Sequence, residues 1–339
     1  MGMSIKELCE FFFSLEKKYD LLDFEIDGVK PWQFRRMALY YELSEKSGIL
    51  EQAHVRLNFK DKLARSLLLL KNVVFNNPFL ADNTDLLIFS HYRSKKVDNT
   101  NIDIYTHYFK QDLFASNISY TDLERPFLGK HIRKNEPNKS YLDFIVLLGN
   151  LFQFLVPVKV SDSQKKVFKD LNNDIKNYLG IDFDSERFLL RAVKRFKVNH
   201  YLYSLLFNRL KPKEIYLVIA YAHGDVVKAA KDLGIKVNEF QHGTFSKYHL
   251  GYSFPDRKKR LDYFPDNLFV WDRYWKEMME LPIKQEHIKI KPFQYLEIEK
   301  ANYIQNKKIK NSIVIISQGA ISKQLAKVIL NNFSLFDHM

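Results

Sequence analysis

The chain has 339 residues, a formal net charge of +13 and a single cysteine, Cys9. Hydrophobic residues at 46% supply a sizeable core, while 11 glycines and 10 prolines are too few for a collagenous, low-complexity or broadly disordered chain. One cysteine excludes an intramolecular disulfide, which suits a reducing cytoplasm, and no apolar stretch approaches ~18 uncharged residues, so no transmembrane span is expected.

The elements begin with Ser4-Ile5-Lys6-Glu7, a capping box followed by Ile5, Leu8, Phe12 and Leu15 at helical spacing. Glu7 and Glu10 interrupt this segment, and it does not read as a secretory signal. Further helices are predicted over 33–47 and 59–74. The first strand is Asp85 to Ser90, DLLIFS, and a second is predicted near 118–120. Residues 141–179 read as two helices; the apolar run 144–160 is expected to be buried. A long helix over 186–210 turns Leu189, Val193, Phe196, Leu202 and Leu206 inward, and its other face carries Arg187, Arg191, Lys194, Arg195 and Lys197.

From there the rhythm becomes β-α-β. Strands are predicted at 214–220 (EIYLVIA), 236–240, 267–271 (NLFVW) and 288–290, with a short helix capped by Asp225 and ended by Gly234, and another over 272–280. Alternation of this kind means parallel pairing with right-handed crossovers. The expected class is α/β. Residues 1–80 form a helical segment packed on a Rossmann-like domain over 81–300, and 301–311 is a polar, basic linker. Residues 312–339 (a strand at 313–317, then a helix) begin a second Rossmann-like domain whose remainder is expected beyond Met339.

Chemistry concentrates at strand ends. Gln241-His242-Gly243-Thr244 follows the strand at 236–240, and a neutral imidazole there can take a proton from a hydroxyl near neutral pH. Gly243 suits a turn and a close substrate approach. His249 and Tyr252 follow within ten residues. His223, in Tyr221-Ala222-His223-Gly224-Asp225, ends the preceding strand, so the two His-Gly pairs line one crevice. The structural alternative is a pair of backbone-bonded histidines at routine turns. Arg93, in His91-Tyr92-Arg93-Ser94-Lys95-Lys96, is a candidate for an anionic acceptor, and Glu124 for orienting a sugar hydroxyl. Arg257 to Arg260 is a basic run suited to anionic headgroups. Gln318-Gly319 precedes a helix N-terminus that can receive phosphate. Walker A, HExxH, GxSxG, CxxC and EF-hand patterns are absent, no DxD stands at a strand end, and no metal ligand set is apparent.

Over Gln241 to Tyr252 the sequence resembles bacterial glycosyltransferases of the two-Rossmann GT-B fold, especially those of capsule and O-antigen polysaccharide synthesis. DGVKPWQFRR, FSHYRSKKVDNTNIDIYTHY, NEFQHGTFSKYHLGY, NLFVWDRYWKEMM, IKIKPFQYLE and IVIISQGAISKQLAKVIL carry the resemblance. It implies that 81–300 is the acceptor domain and that the 312–339 unit opens a nucleotide-sugar domain. His242-Gly243-Thr244 with Lys247 also resembles the HGT-x-x-K pattern of teichoic acid polymerases related to glycerophosphotransferases, in which the His serves as base.

The expectation is a cytoplasmic glycosyltransferase, peripheral on the inner membrane face. It moves a sugar from a nucleotide-sugar to a glycan or lipid-linked acceptor without metal or other cofactor, and it takes no nucleic acid as partner. His242 is the base; Gln241, Gly243, Thr244, His223, His249, Tyr252, Arg93 and Glu124 bind substrate; Gln318 and Gly319 bind nucleotide. The alternatives are a polyol-phosphate (CDP-glycerol type) transferase on the same scaffold and a non-catalytic basic module that binds acidic glycan or nucleic acid.

Overall fold

The computed structural model describes residues 3–50, 59–97, 99–127, 130–131, 136–255, 260–278, 281–304, 313–317 and 322–333. Strand β1 (Leu86–Ser90) is followed by an antiparallel hairpin, β2 (Ser94–Val97) and β3 (Thr100–Asp103), which stands apart from the main sheet. β4 (Tyr120–Glu124), β5 (Lys139–Tyr141), β6 (Glu214–Leu217), β7 (Lys236–Phe240), β8 (Asn267–Val270) and β9 (Ile288–Ile290) join β1 in a seven-stranded sheet. Its order is β5-β4-β1-β6-β7-β8-β9, and every pairing is parallel. Counted along the chain, these strands run 3-2-1-4-5-6-7 across the sheet, the doubly wound Rossmann-like arrangement.

The helices are α1 (Ile5–Tyr19), α2 (Trp32–Lys46), α3 (Phe59–Phe75), α4 (His107–Ala115), α5 (Asp143–Phe152), α6 (Asp162–Leu179), α7 (Ser185–Leu210), α8 (Gly224–Asp232), α9 (Arg273–Met278), α10 (Gln294–Ile304) and α11 (Ser322–Asn331). None of the described helices is long and apolar enough to cross a membrane. The capping box of α1 is formed, with Ser4 Oγ accepting from Glu7 N and Glu7 Oε2 accepting from Ser4 N.

Alternation along β1 shows why the strand is apolar throughout. Leu87 and Phe89 join Leu123, Ile215 and Val237 in a core covered by α5, α7 and α8, while Leu86 and Ile88 face Leu113 and Phe109 of α4. A second core binds α1 and α2 to the segment after β7: Leu8, Phe12, Trp32 and Leu43 pack with Phe245, Leu250, Tyr252 and Leu268. Each such side chain, fully buried, contributes about 1.5–3 kcal/mol.

Several elements differ from the sequence expectation. The second strand lies at Tyr120–Glu124 rather than 118–120. Its Asp122 and Glu124 are buried against Lys110 Nζ (2.6 Å) and Lys139 Nζ (3.0 Å), so charge pairing hides a central strand behind polar letters. The strand at 214–220 stops at Leu217 and gives way to a turn of 3-10 helix, Ala220–Ala222. The helix expected to be buried through 160 ends at Phe152, and Leu151, Phe154 and Leu155 are exposed. Residues 301–304 of the expected linker finish α10. Ile313 to Ser317 forms no β-ladder with any described residue and is irregular rather than a strand, and Val314 and Ile316 are exposed. The helix expected after it is α11. Gln318 and Gly319, like Arg257 to Lys259, lie outside the described residues.

Candidate functional site

The strand order reverses between β1 and β6, so crossovers leave to opposite sides and a crevice opens past the carboxyl ends there. The segments after four neighbouring strands converge on it: His91 after β1, Tyr221 and His223 after β6, His242 after β7 and Arg125 after β4.

His242 sits among rings. Tyr221, Tyr252, His249 and His91 have centroids 5.9, 5.9, 6.1 and 6.4 Å from its own. Its backbone carbonyl accepts from Tyr105 Oη (2.6 Å) and Arg93 Nη1 (3.4 Å), which fixes the turn. Behind it lies a chain of polar contacts. Tyr252 Oη donates to Glu239 Oε1 at 2.5 Å and lies 3.2 Å from His242 Nδ1. Glu239 is wholly buried in β7; its Oε1 also accepts from Ala220 N (2.9 Å), and its Oε2 is enclosed without a partner.

With the hydroxyl proton committed to the carboxylate, the Tyr252 oxygen accepts from Nδ1–H, and the lone pair of His242 falls on Nε2. Nε2 bonds to no described residue and is not enclosed, and the residue as a whole is 9% exposed. The ring is tucked in, and Nε2 is its unenclosed nitrogen. Burial, then His249, His91 and Arg93, holds the His242 pKa down at about 3, so it is uncharged at neutral pH. Burial pushes Glu239 up to about 7 against the lowering effect of its bonds to Tyr252 and Ala220 N. Burial also lifts Tyr252 well above the usual phenol range, keeping it a donor.

The candidates read from sequence fall into distinct groups. His242, Tyr252 and His249 are brought together; the His249 pKa is lowered, chiefly by burial. Gly243 has no left-handed φ, so the turn does not require glycine; a Cβ there would meet no other residue within 4 Å, which leaves open space at that position. Thr244 is exposed. Gln241 is buried and spent on structure: its N donates to Phe269 O, its Oε1 accepts from Trp271 N and its Nε2 donates to Gly243 O. Arg93 holds the His242 carbonyl. His223 begins α8 with its Nδ1 enclosed and unbonded; burial, then Arg125 and His91, drives its pKa well down. Glu124 belongs to the buried network with Lys139 and His131, not to the crevice.

Glu239, Tyr221, Tyr105 and Arg125 were not among the candidates. Glu239 had a readable signal: a carboxylate inside a strand that parallel pairing buries on both faces needs a partner. Gly251 is explained by Tyr221, whose Cδ1 would lie 2.5 Å from a Cβ at that position. No protein-family model matches this sequence, and no curated protein matches it either.

Proposed function

We propose that the protein transfers a sugar from a nucleotide-sugar to a hydroxyl of a glycan or lipid-linked acceptor, on the two-domain GT-B plan, in surface polysaccharide assembly. The observation that carries this reading is the Glu239–Tyr252–His242 chain, which leaves Nε2 unbonded on the turn past the carboxyl end of β7 in a Rossmann-like sheet.

In the proposed step the acceptor hydroxyl lies against Nε2. Its proton passes to Nε2 as its oxygen bonds to the anomeric carbon, and the bond from that carbon to the nucleotide diphosphate breaks. The resting imidazole is a weak base because burial disfavours its cation. The Glu239 carboxylate, acting through the Tyr252 hydroxyl, offsets the charge as it forms.

The test is transfer of label from a panel of UDP-, GDP-, CDP- and dTDP-sugars to lipid-linked acceptors. His242→Ala should lower turnover about 10²–10⁴-fold with the circular dichroism spectrum retained. Tyr252→Phe keeps the ring and removes the relay, and should lower turnover and shift its pH profile. Undiminished turnover in His242→Ala removes the imidazole as base; no transfer from any donor ends the sugar-transfer reading.

A further inference from the structure

A cluster of guanidinium groups stands on the far side of Tyr221. A cavity of about 330 Å³ between α2, α7 and the ends of β4 and β6 is lined by Arg35, Arg125 and Arg195 together with Tyr221, Asn199 and Asp225. A neighbouring hollow of about 460 Å³ shares Arg35 and Arg195 and adds Arg187 and Arg191. Among the described residues none of these five arginines has a carboxylate oxygen within the 4.0 Å of an ion pair. The Nε atoms of Arg35 and Arg125 are enclosed and bonded to nothing.

The nearby acids are committed elsewhere. Asp225 accepts from Asn199 Nδ2 (2.7 Å) and Val226 N (3.0 Å), Glu42 pairs with Lys46 (2.9 Å), and Asp184 caps α7 through Arg187 N (2.9 Å). The cations are close enough to disturb one another. Burial first, then Arg195, lowers the Arg35 pKa against the raising effect of Glu42; burial first, then Arg125, lowers that of Arg195 against Asp225 and Tyr203; Arg125 itself is raised, against its burial, by Tyr203 and Asp225. Phe188 fixes the plane of the Arg35 guanidinium, which lies 4.8 Å over its ring centroid.

Half-buried like charges in excess of their counter-charges are unfavourable unless something negative joins them. We propose that this arginine cavity is a binding site for the diphosphate group of a substrate. Three inner guanidiniums against one carboxylate leave two positive charges. A carboxylate ligand would neutralise one of these; a diphosphate ester neutralises both and matches the planar fork of each guanidinium with paired oxygens. The volume lies near the low end of the usual ~300–1,000 Å³ for small-ligand pockets, which disfavours a polyanion such as nucleic acid. Tyr221 lines the cavity and touches the His242 cluster, so a diphosphate held here lies one aromatic ring away from the imidazole. The site itself rests on the arginines alone. Only the statement that its occupant is a substrate of the proposed transfer rests on that reading.

Calorimetry in phosphate-free, low-salt buffer tests it. Inorganic diphosphate, UDP and geranyl diphosphate are titrated separately into the protein, and the tightest probe identifies the source as free ion, nucleotide or prenyl lipid. Saturable binding is expected, weakened at least about tenfold in Arg35→Gln and in Arg195→Gln, the loss of one charge-assisted bond. Lys169→Gln, which removes an exposed charge from α6, should bind as wild type does. His242→Ala should also bind as wild type, so loss of transfer and loss of binding separate. The arginine variants should melt no lower than wild type without ligand, because each removes a repelled charge, and should lose the diphosphate-induced rise in Tm. The proposal is overturned by no saturable binding of any probe, by equal affinity in wild type and both arginine variants, or by an equal loss in Lys169→Gln.

Discussion

Replacing Glu239 with Gln isolates the buried carboxyl from every other titrating group. Its folded pKa, about 7, stands above the ordinary 4.5. The folded chain therefore holds the proton over a window in which the unfolded chain has lost it, and stability declines as pH rises through that window. Integrated at about 1.4 kcal/mol per pH unit, the carboxyl withdraws about 2–3 kcal/mol between about pH 5 and about pH 8. The buried imidazoles act in the opposite sense. His242, His223 and His249 have lowered folded pKa values, so the stability they lend is present above the ordinary 6.5 and is lost as pH falls below it. A single pH curve mixes the two effects; the difference between wild type and Glu239→Gln does not. The amide still accepts from Ala220 N and Tyr252 Oη, and its NH₂ takes the enclosed place of Oε2. That unsatisfied group costs about 1–3 kcal/mol at every pH and cancels from the slope. Urea unfolding of both proteins at the two pH values gives the double difference, expected at about 2–3 kcal/mol, with wild type the one that loses stability at high pH. Parallel pH curves would show that the carboxyl does not titrate in this window and would refute its raised pKa.

Two further substitutions test the surroundings. Gly251→Ala puts a methyl 2.5 Å from Tyr221 Cδ1, on a ring that cannot bend away; it should cost about 1–3 kcal/mol in thermal unfolding and lower turnover by moving Tyr221, and an unchanged Tm would refute the contact. Glu16→Ala strips Arg36, 2% exposed, of its ion pair at 2.9 Å; urea unfolding should show a loss of about 3–5 kcal/mol, and a loss below about 1 kcal/mol would mean that the pair is not buried in solution.

The parts of the fold legible in the sequence are those whose stability is local or uniformly apolar. β1, β6 and β8 read as largely apolar runs because parallel strands are buried on both faces, and α7 reads from its inward stripe of Leu189, Val193, Phe196, Leu202 and Leu206. β4 was displaced because its buried Asp122 and Glu124 take their counter-charges from Lys110 on α4 and Lys139 on β5, which no window along the chain reveals. β5 has three residues, Lys-Ser-Tyr, and exists only by pairing with β4. The site divides the same way. His242, Tyr252 and His249 share one loop and could be named together. Glu239 is three residues from His242, yet its role depends on Tyr252 folding back over it. The arginine cavity draws Arg35 from α2, Arg125 from the end of β4 and Arg195 from α7, so only the fold assembles it.

The same dependence explains why two N-terminal helices accompany a sheet that buries its own faces. A loop carrying an open imidazole has few backbone partners of its own and would drift unless held from behind. α1 and α2 supply that hold. Arg36, clamped by Glu16, donates from Nη1 to Ser253 O at 2.9 Å, next to Tyr252 in the chain, and Cys9 Sγ donates to Tyr248 O. Trp32 Nε1 donates to Glu16 Oε1 at 2.6 Å and so fixes the carboxylate that fixes Arg36. α2 then presents Phe34 against Gly224, at a distance that a side chain there would close to 2.9 Å, and Arg35 into the cavity. One helix thus braces the loop that carries Tyr252 with Arg36 and lines the anion cavity with its neighbour Arg35. A shift of α2 would therefore move the relay and the arginine cluster together, coupling the imidazole to whatever occupies the cavity through consecutive residues of a single rigid element.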